Sequence, residues 1–363
     1  MTTTASRPTA TSGPPPENRP VTTVALNDLR RFGRAALATR GVNKADAALV
    51  IDVMLEQDLR GHGHHGIVLL ALRIRDLDAG RARADARVAV LADLPAFTAL
   101  DAHGALGPVG AVQAMDACIA KAQTQGAAMA SLRDMPHWVI PAFYSMRAAA
   151  ADMIGYCCCY TDPSFAPVGG ASRVLGNNPL SYAIPADPRP PIVVDFGVSA
   201  STGRMRELVA DGQSLPDGWA VDTKGRPLSD PAQAMADGVF LPIAEHRGYG
   251  LGLVHELLGA TLNAMPIALE HPPGRYGGFF MACRVDTFRP REEFLCDVNR
   301  ALDRVTDSPA LDPTRPIRYP GEQSGLALRR NRARAQVDLS TASWHRVHEV
   351  AELTGVPAPE AVA

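Results

Sequence analysis

Gly61-His-Gly-His-His-Gly66 decides which α/β architecture this chain of 363 residues can adopt. The six residues satisfy G-x-G-x-x-G, the glycine spacing of a dinucleotide-binding Rossmann turn. That turn works only between a strand and a helix, where free backbone N–H groups meet a phosphate. Here the preceding stretch, Val53-Met-Leu-Glu-Gln-Asp-Leu-Arg60, reads as the end of a helix. Ala47, Val50, Ile51, Met54 and Leu55 form an apolar stripe at helical spacing. The hexapeptide is therefore a corner and not a Rossmann loop. The later Gly248-Tyr-Gly-Leu-Gly252 also lacks a third glycine at the needed place. His62, His64 and His65 concentrate imidazoles, a common zinc ligand. No second cluster of ligands at metal spacing accompanies them, so no metal is expected, and a structural and a catalytic corner both stay open.

Working outward, residues 1 to about 20 are rich in Thr, Ser and Pro and end in Pro14-Pro-Pro-Glu-Asn-Arg-Pro20. This predicts a disordered tail over 1–21. Helices are predicted over about Asn27–Thr39 and Lys44–Leu59, with Asn27 and Asn43 as N-caps and Gly41 ending the first. A third runs from Ile67 to Asp78 and stops at Gly80. From about Ala96 strands alternate with helices. The predicted strands are Ala127–Leu132, Tyr156–Tyr160, Leu180–Ile184, Ile192–Phe196, Phe279–Arg284 and Ile317–Tyr319. The predicted helices are Val109–Ala122, Pro141–Met153, Tyr249–Asn263 and Glu292–Val305, and Gln323–Ala333 and Ser340–Leu353 return to the helical style of the beginning. The organisation is an α/β domain over 95–305 inserted between helical pieces, 22–94 plus 306–363.

A hydrophobic fraction of 46% is ample for a large core. With a net charge of -2 and no basic block, nucleic acid is not an expected partner. No apolar run reaches bilayer length, so no membrane span is expected, and no apolar segment behind Arg7 suggests a secretory signal. Three of the six cysteines are consecutive, Cys157 to Cys159. Neighbours on a strand face opposite sides, so the three cannot converge on one metal. They read as small apolar fillers of a buried strand, and reduced thiols fit a cytoplasmic protein.

Several segments resemble the malate/L-lactate dehydrogenase family, whose members include ureidoglycolate, sulfolactate and cyclic-imine-reducing enzymes. They are Asp58-Leu-Arg-Gly-His-Gly-His-His-Gly-Ile67, Leu132-Arg-Asp-Met-Pro-His137, and Ala166-Pro-Val-Gly-Gly170 followed by Leu175-Gly-Asn-Asn-Pro179. Pro216-Asp-Gly-Trp-Ala-Val-Asp222, Arg247-Gly-Tyr-Gly-Leu251 with Val254-His-Glu-Leu-Leu-Gly259, and Pro320-Gly-Glu322 complete the series. Each is weak alone; all of them in family order is specific. The resemblance implies a non-Rossmann α/β fold with a central mixed-sheet domain that binds NAD or NADP. It also implies a homodimer with its cleft near the subunit interface, and hydride transfer beside a carboxylate in an alcohol/ketone or amine/imine pair.

By the same resemblance, His137 is the proton donor and His65 orients substrate or relays protons. Imidazole suits both tasks because its pKa lies near neutrality. Thr161, Asp195, Phe196 and Gly197 lie along the cofactor, as do His246, Arg247 and Gly248. Arg247 replaces the usual lysine. His64, Asn178 and Arg73 are the candidates for substrate contact, and the Gly-Asn-Asn-Pro turn equally allows Asn177 and Asn178 to serve the turn alone.

Departures concentrate at the same place. His64 stands for a serine, Leu69 and Thr202 for arginines, and Val139 for a glycine. A small 2-oxo acid needs its carboxylate held, usually by arginine. Three routes are open: Arg73, one helical turn past Leu69; Arg204 or Arg206; or a larger, less acidic ketone, alcohol or imine. The third is preferred, which predicts weak turnover of pyruvate or oxaloacetate. The competing readings are a family member without catalysis that serves as a binding or structural partner, and a histidine–metal hydrolase.

Overall fold

A computed structural model describes residues 21–362, Thr202 by its backbone alone. Strand β1 (Val21–Ala25) leads into helices α1 (Leu26–Ala38), α2 (Lys44–Arg60) and α3 (Leu70–Asp78). A hairpin of β2 (Ala89–Leu94) and β3 (Phe97–Asp101) is followed by α4 (Gly107–Gln125), β4 (Ala127–Met135), α5 (Pro141–Ala149) and β5 (Met153–Cys159). Short strands β6 (Pro163–Phe165) and β7 (Leu175–Gly176) precede β8 (Leu180–Ile184) and β9 (Ile192–Phe196). Next come α6 (Thr202–Ala210), β10 (Ala220–Val221), α7 (Pro231–Ala236), β11 (Val239–Phe240) and α8 (His246–Gly259). The chain closes with β12 (Tyr276–Arg284), α9 (Arg291–Thr306), α10 (Glu322–Arg334), β13 (Gln336–Ser340) and α11 (Thr341–Thr354).

The main sheet has seven strands in the order β2-β3-β4-β12-β5-β8-β9. Only β3 and β4 pair in parallel; every other neighbouring pair is antiparallel. A doubly wound nucleotide fold is built on parallel strands, so this topology is not one. β2 lies in the sheet, on the N-terminal side of residue 95.

The cysteine run shows how the sheet is filled. Cys157 and Cys159 face the core beneath α4 and α5, whereas Cys158 packs with Tyr156, Leu180 and Leu258 on the other face. This is the period-two alternation expected of a strand. Burial raises all three thiols, Cys158 to about 12, so they are inert fillers. The first and last strands among the described residues pair, β1 with β13. One apolar core runs through α1, α2, α3, β13 and α11 and reaches Leu106, Val109, Ile140 and Met146 at the sheet's helical layer. This fixes the corner after α2 against the segment after β4.

Most elements fall where the sequence puts them, with three corrections. Ile317–Tyr319 is not a strand; Pro316 and Pro320 flank it and supply no ladder N–H, and Tyr319 instead buries its ring and donates to the Pro190 carbonyl. Asn27 is not an N-cap: β1 runs straight into α1, and the Leu26 N–H is met by the Ala335 carbonyl at 2.9 Å. The helix from Pro141 stops at Ala149 because Met153 already belongs to β5. Asn43 does cap α2, accepting from the N–H groups of Ala45 and Asp46 at 3.0 Å each. Of the expected tail only Val21, in β1, lies within the described residues.

Candidate active site

The glycines of the 61–66 corner serve the chain itself. Gly61 caps α2 in the left-handed conformation, with φ 83°. A side chain on Gly66 would fall 1.9 Å from the Asp58 carboxylate, which turns back to accept the Ile67 N–H at 2.7 Å. Asp58 is half-buried, and burial lifts its carboxyl to about 8 against the pull of that N–H. A raised carboxyl contributes stability that is full below the ordinary aspartate range and is lost as pH rises toward 8. Asp58→Asn keeps the acceptor and removes the charge. We expect it to exceed the wild type in stability at pH 8 by about 1 kcal/mol or more, and to match it near pH 4. Urea unfolding at both values reads this, and identical pH profiles would refute it.

The corner presents His62, His64 and His65 to a cleft of about 850 Å³. The His64 and His65 rings lie 4.3 Å apart by centroid. Burial, followed by the neighbouring imidazoles, keeps His65 well below its ordinary pKa, and its Nδ1 is buried without a partner. Burial lowers His62 to about 4. His64 Nδ1 meets Glu207 of α6 at 3.1 Å. Burial opposes ionisation of Glu207, yet His64 and Arg204 together bring it down to about 2. It is thus a fixed negative charge.

His137 lines the same cleft from the segment between β4 and α5. Trp138 anchors that segment: it is buried, stacks on Tyr144 at 5.1 Å, and its carbonyl accepts the Tyr144 hydroxyl. Trp138 packs into the core, and both it and His137 border the cleft. Burial and then the Arg73 guanidinium lower His137 to about 3. Its Nδ1 accepts the Val139 N–H at 3.2 Å, so the neutral ring carries its proton on Nε2. Val139 itself has φ 78°, costing a β-branched residue about 1–3 kcal/mol. Glycine, which the family resemblance puts there, would adopt it freely.

Asp195 closes the geometry. Its carboxylate accepts the Ala142 N–H at 2.6 Å, in the first turn of α5, just beyond the His137 segment. Burial outweighs that bond and the Ser181 hydroxyl and lifts the carboxyl to about 7. Asp195 is therefore poised between its charged and neutral forms near neutral pH.

The cleft brings together His64, His65, Arg73, His137, Thr161, Asp195, Phe196 and Gly197. It does not include Asn178, whose side chain is already spent: Oδ1 accepts the Thr161 N–H, and Nδ2 donates to Gly252 O and Glu256 Oε2, all at 2.9 Å. Asn177 lines the cleft in its place and accepts the Ser199 N–H at 3.1 Å. His246, Arg247 and Gly248 form the first turn of α8 and do not line the cleft. His246 and Arg247 are exposed, while Gly248 closes against Ile243. Leu69 lines the cleft as an apolar surface, and the side chain of Thr202 lies outside the described residues. Arg206, one of the two arginines named from the sequence, also lines the cleft, as do Gln57 and Ser164, which no motif marks. Gln57 had a legible signal: it continues the apolar stripe of α2 three residues past Met54.

Comparison with known proteins gives this arrangement its class. Residues 24–348 match the model of the family described as Malate/L-lactate dehydrogenase. The chain is 30% identical to the L-sulfolactate dehydrogenase of Methanothermobacter thermautotrophicus over 305 residues, 82% of this chain and 87% of that one. It is 28% identical to the ureidoglycolate dehydrogenase (NAD(+)) of Escherichia coli over 306 residues, 81% and 86% of the two chains. The crystal structure of malate dehydrogenase from Entamoeba histolytica superposes with a TM-score of 0.89 at 25% identity, over 94% of this chain and 100% of that one. The protein is an oxidoreductase with the expected non-Rossmann α/β fold. It belongs to the malate/L-lactate dehydrogenase family.

Proposed function

We propose that the chain is an NAD- or NADP-dependent dehydrogenase or reductase acting on a ketone/alcohol or imine/amine pair, with an altered substrate pocket. The observation that carries this reading is that His137 and Asp195 line one cleft and are tied to the same short helix, α5. The residues present suit a nicotinamide dinucleotide. The cleft, at about 850 Å³, is within the range of cofactor sites. Thr161, Phe196 and Gly197 lie along it. Ser164 adds a buried hydroxyl without a partner, and Arg206 lines it with a guanidinium, a group suited to a phosphate.

The bound cofactor supplies or accepts the hydride. His137 moves the proton at the substrate oxygen or nitrogen. At rest it is neutral, the form that takes a proton when an alcohol or amine is oxidised. To do so at Nε2 it must exchange tautomer and release the long Val139 contact. In reduction it must be charged, and negative charge developing on the substrate raises its pKa toward that state. Asp195 fixes the start of α5 and adds charge as pH rises. His65 faces the same space and orients the substrate or relays the proton.

The proposal extends to a homodimer in the cytoplasm. Leu251, Val254, Leu257 and Leu262 are 40–53% exposed along α8 and just beyond it, an apolar surface of the kind a second subunit covers. Nicotinamide fluorescence tests the central reading: NADH or NADPH emission is expected to change saturably on mixing with the protein. No change with either would reject it and leave the non-catalytic reading standing.

A further inference from the structure

We infer that Glu256 is a positioning residue: by fixing which way the Asn178 amide faces, it sets where Thr161 stands in the cleft wall and what Thr161 offers a bound dinucleotide. This deepens the function proposed above and rests on it.

Thr161 lines the cleft; Asn178, 0% exposed, does not. The two residues hold each other reciprocally. The Thr161 N–H donates to Asn178 Oδ1 at 2.9 Å, and the Asn178 N–H donates to Thr161 Oγ1 at 3.4 Å. With its oxygen engaged as an acceptor, the Thr161 hydroxyl keeps its own proton to donate to a ligand. The approach leaves no room for a side chain at residue 176. A Cβ on Gly176 would fall 2.2 Å from Thr161 O and 2.6 Å from Asn178 Oδ1. Asn178 itself has φ 37°, a left-handed conformation that asparagine adopts more readily than most residues.

The other end of the amide decides its orientation. Asn178 Nδ2 donates to Gly252 O and to Glu256 Oε2 at 2.9 Å each, which uses both amide hydrogens. Glu256, on α8, is 2% exposed, and its second oxygen accepts the Ala268 N–H at 2.6 Å. Burial raises the Glu256 carboxyl, and these two N–H groups pull against that rise. A flipped Asn178 amide would set its NH₂ against the Thr161 N–H and its oxygen against two acceptors. A carboxylate suits position 256 because it offers one oxygen to each of two donors. A glutamine there has a single oxygen, so Asn178 Nδ2 or the Ala268 N–H would lose its partner in a buried place. An aspartate at 178 would have no hydrogen to give and would set a second carboxylate against Glu256. Making both changes re-forms the contact in reverse. The new glutamine donates to the new aspartate and still accepts from Ala268, and only Gly252 O loses its bond.

Hydrogen exchange of the full chain without ligand, in Glu256→Gln, Asn178→Asp and the double variant, reads this arrangement directly. The Thr161 amide is expected to be protected in the wild type. In E256Q and in N178D it is expected to exchange at least about tenfold faster, a larger factor than for the amides of the β4–β12 ladder. The double variant is expected to exchange more slowly than N178D, so that the two losses do not multiply. NADH and NADPH emission gives the second readout. Dinucleotide affinity is expected to fall about tenfold or more in E256Q and in N178D, and to recover in part in the double variant. An unprotected Thr161 amide in the wild type, an equal rise across Thr161 and the β4–β12 ladder, losses that multiply in the double variant, or an unchanged dinucleotide affinity in E256Q would each overturn the assignment. If N178D does not fold, E256Q against the wild type decides. If neither dinucleotide binds the wild type, the redox reading fails, and the exchange rates alone judge Glu256.

Discussion

Replacing His137 by alanine is expected to lower turnover by about 10²-fold or more while leaving dinucleotide affinity within a small factor of wild type. The reason is positional. The ring is supported through its neighbours: Trp138 is buried and stacked, and the His137 carbonyl is held by Arg73. Truncating the side chain at Cβ leaves those backbone anchors in place, so the cleft keeps its shape and loses only the group that moves the proton. Steady-state kinetics with a reducible or oxidisable substrate, alongside a fluorescence titration of the dinucleotide, separates the two effects. Unchanged turnover would remove His137 from the chemistry; a parallel loss of dinucleotide binding would make it a structural residue.

Gly107→Ala is expected to be nearly as damaging although it touches no substrate. Gly107 begins α4, and a Cβ there would lie 2.4 Å from the carbonyl oxygen of Pro136 and 2.6 Å from that of His137. Backbone does not yield as a flexible side chain does, so either α4 or the His137 segment must shift. Misplacing a catalytic group by about 1 Å costs on the order of 10²-fold, and overpacking costs about 1–3 kcal/mol of stability. Gly110→Ala, one turn later, is the control. Its Cβ would lie 3.1 Å from Leu132 Cδ2, a side-chain end that can turn aside, and at ordinary contact distance from Ala102 Cβ. Turnover near wild type in G110A and strongly reduced in G107A is the expected pattern. Equal, mild effects would show that the position of the segment does not limit the reaction.

The fold was legible where pattern and chemistry agreed. The helical stripe before Gly61 excluded the Rossmann reading, and the antiparallel sheet bears this out. Cys157 to Cys159 read correctly as buried filler. The strand at Ile317–Tyr319 failed because two prolines outweigh three residues of strand-like character. Strands β1 and β13 went unseen because they pair across nearly the whole chain, and local periodicity does not encode that contact.

At the site, residues beside an unusual backbone were easier to place than those whose role depends on partners. His64, His65 and His137 flank glycine or proline and reach the cleft. Asn178 carries a motif-like signature, yet its amide is consumed by Thr161, Gly252 and Glu256, none of which its spacing reveals. Arg73 is the reverse case. The sequence marks it only by its place one helical turn past Leu69, and the structure sets it fully buried in the cleft wall. Gln57 lay on the apolar face of α2, where a polar side chain needs an explanation.

A crystal structure with NADH or NADPH bound is the most direct measurement. The nicotinamide is expected between the 61–66 corner and the segment after β4, with its C4 and the His137 ring facing the same space. A dinucleotide bound outside that cleft, or a His137 ring turned away from the nicotinamide, would contradict it.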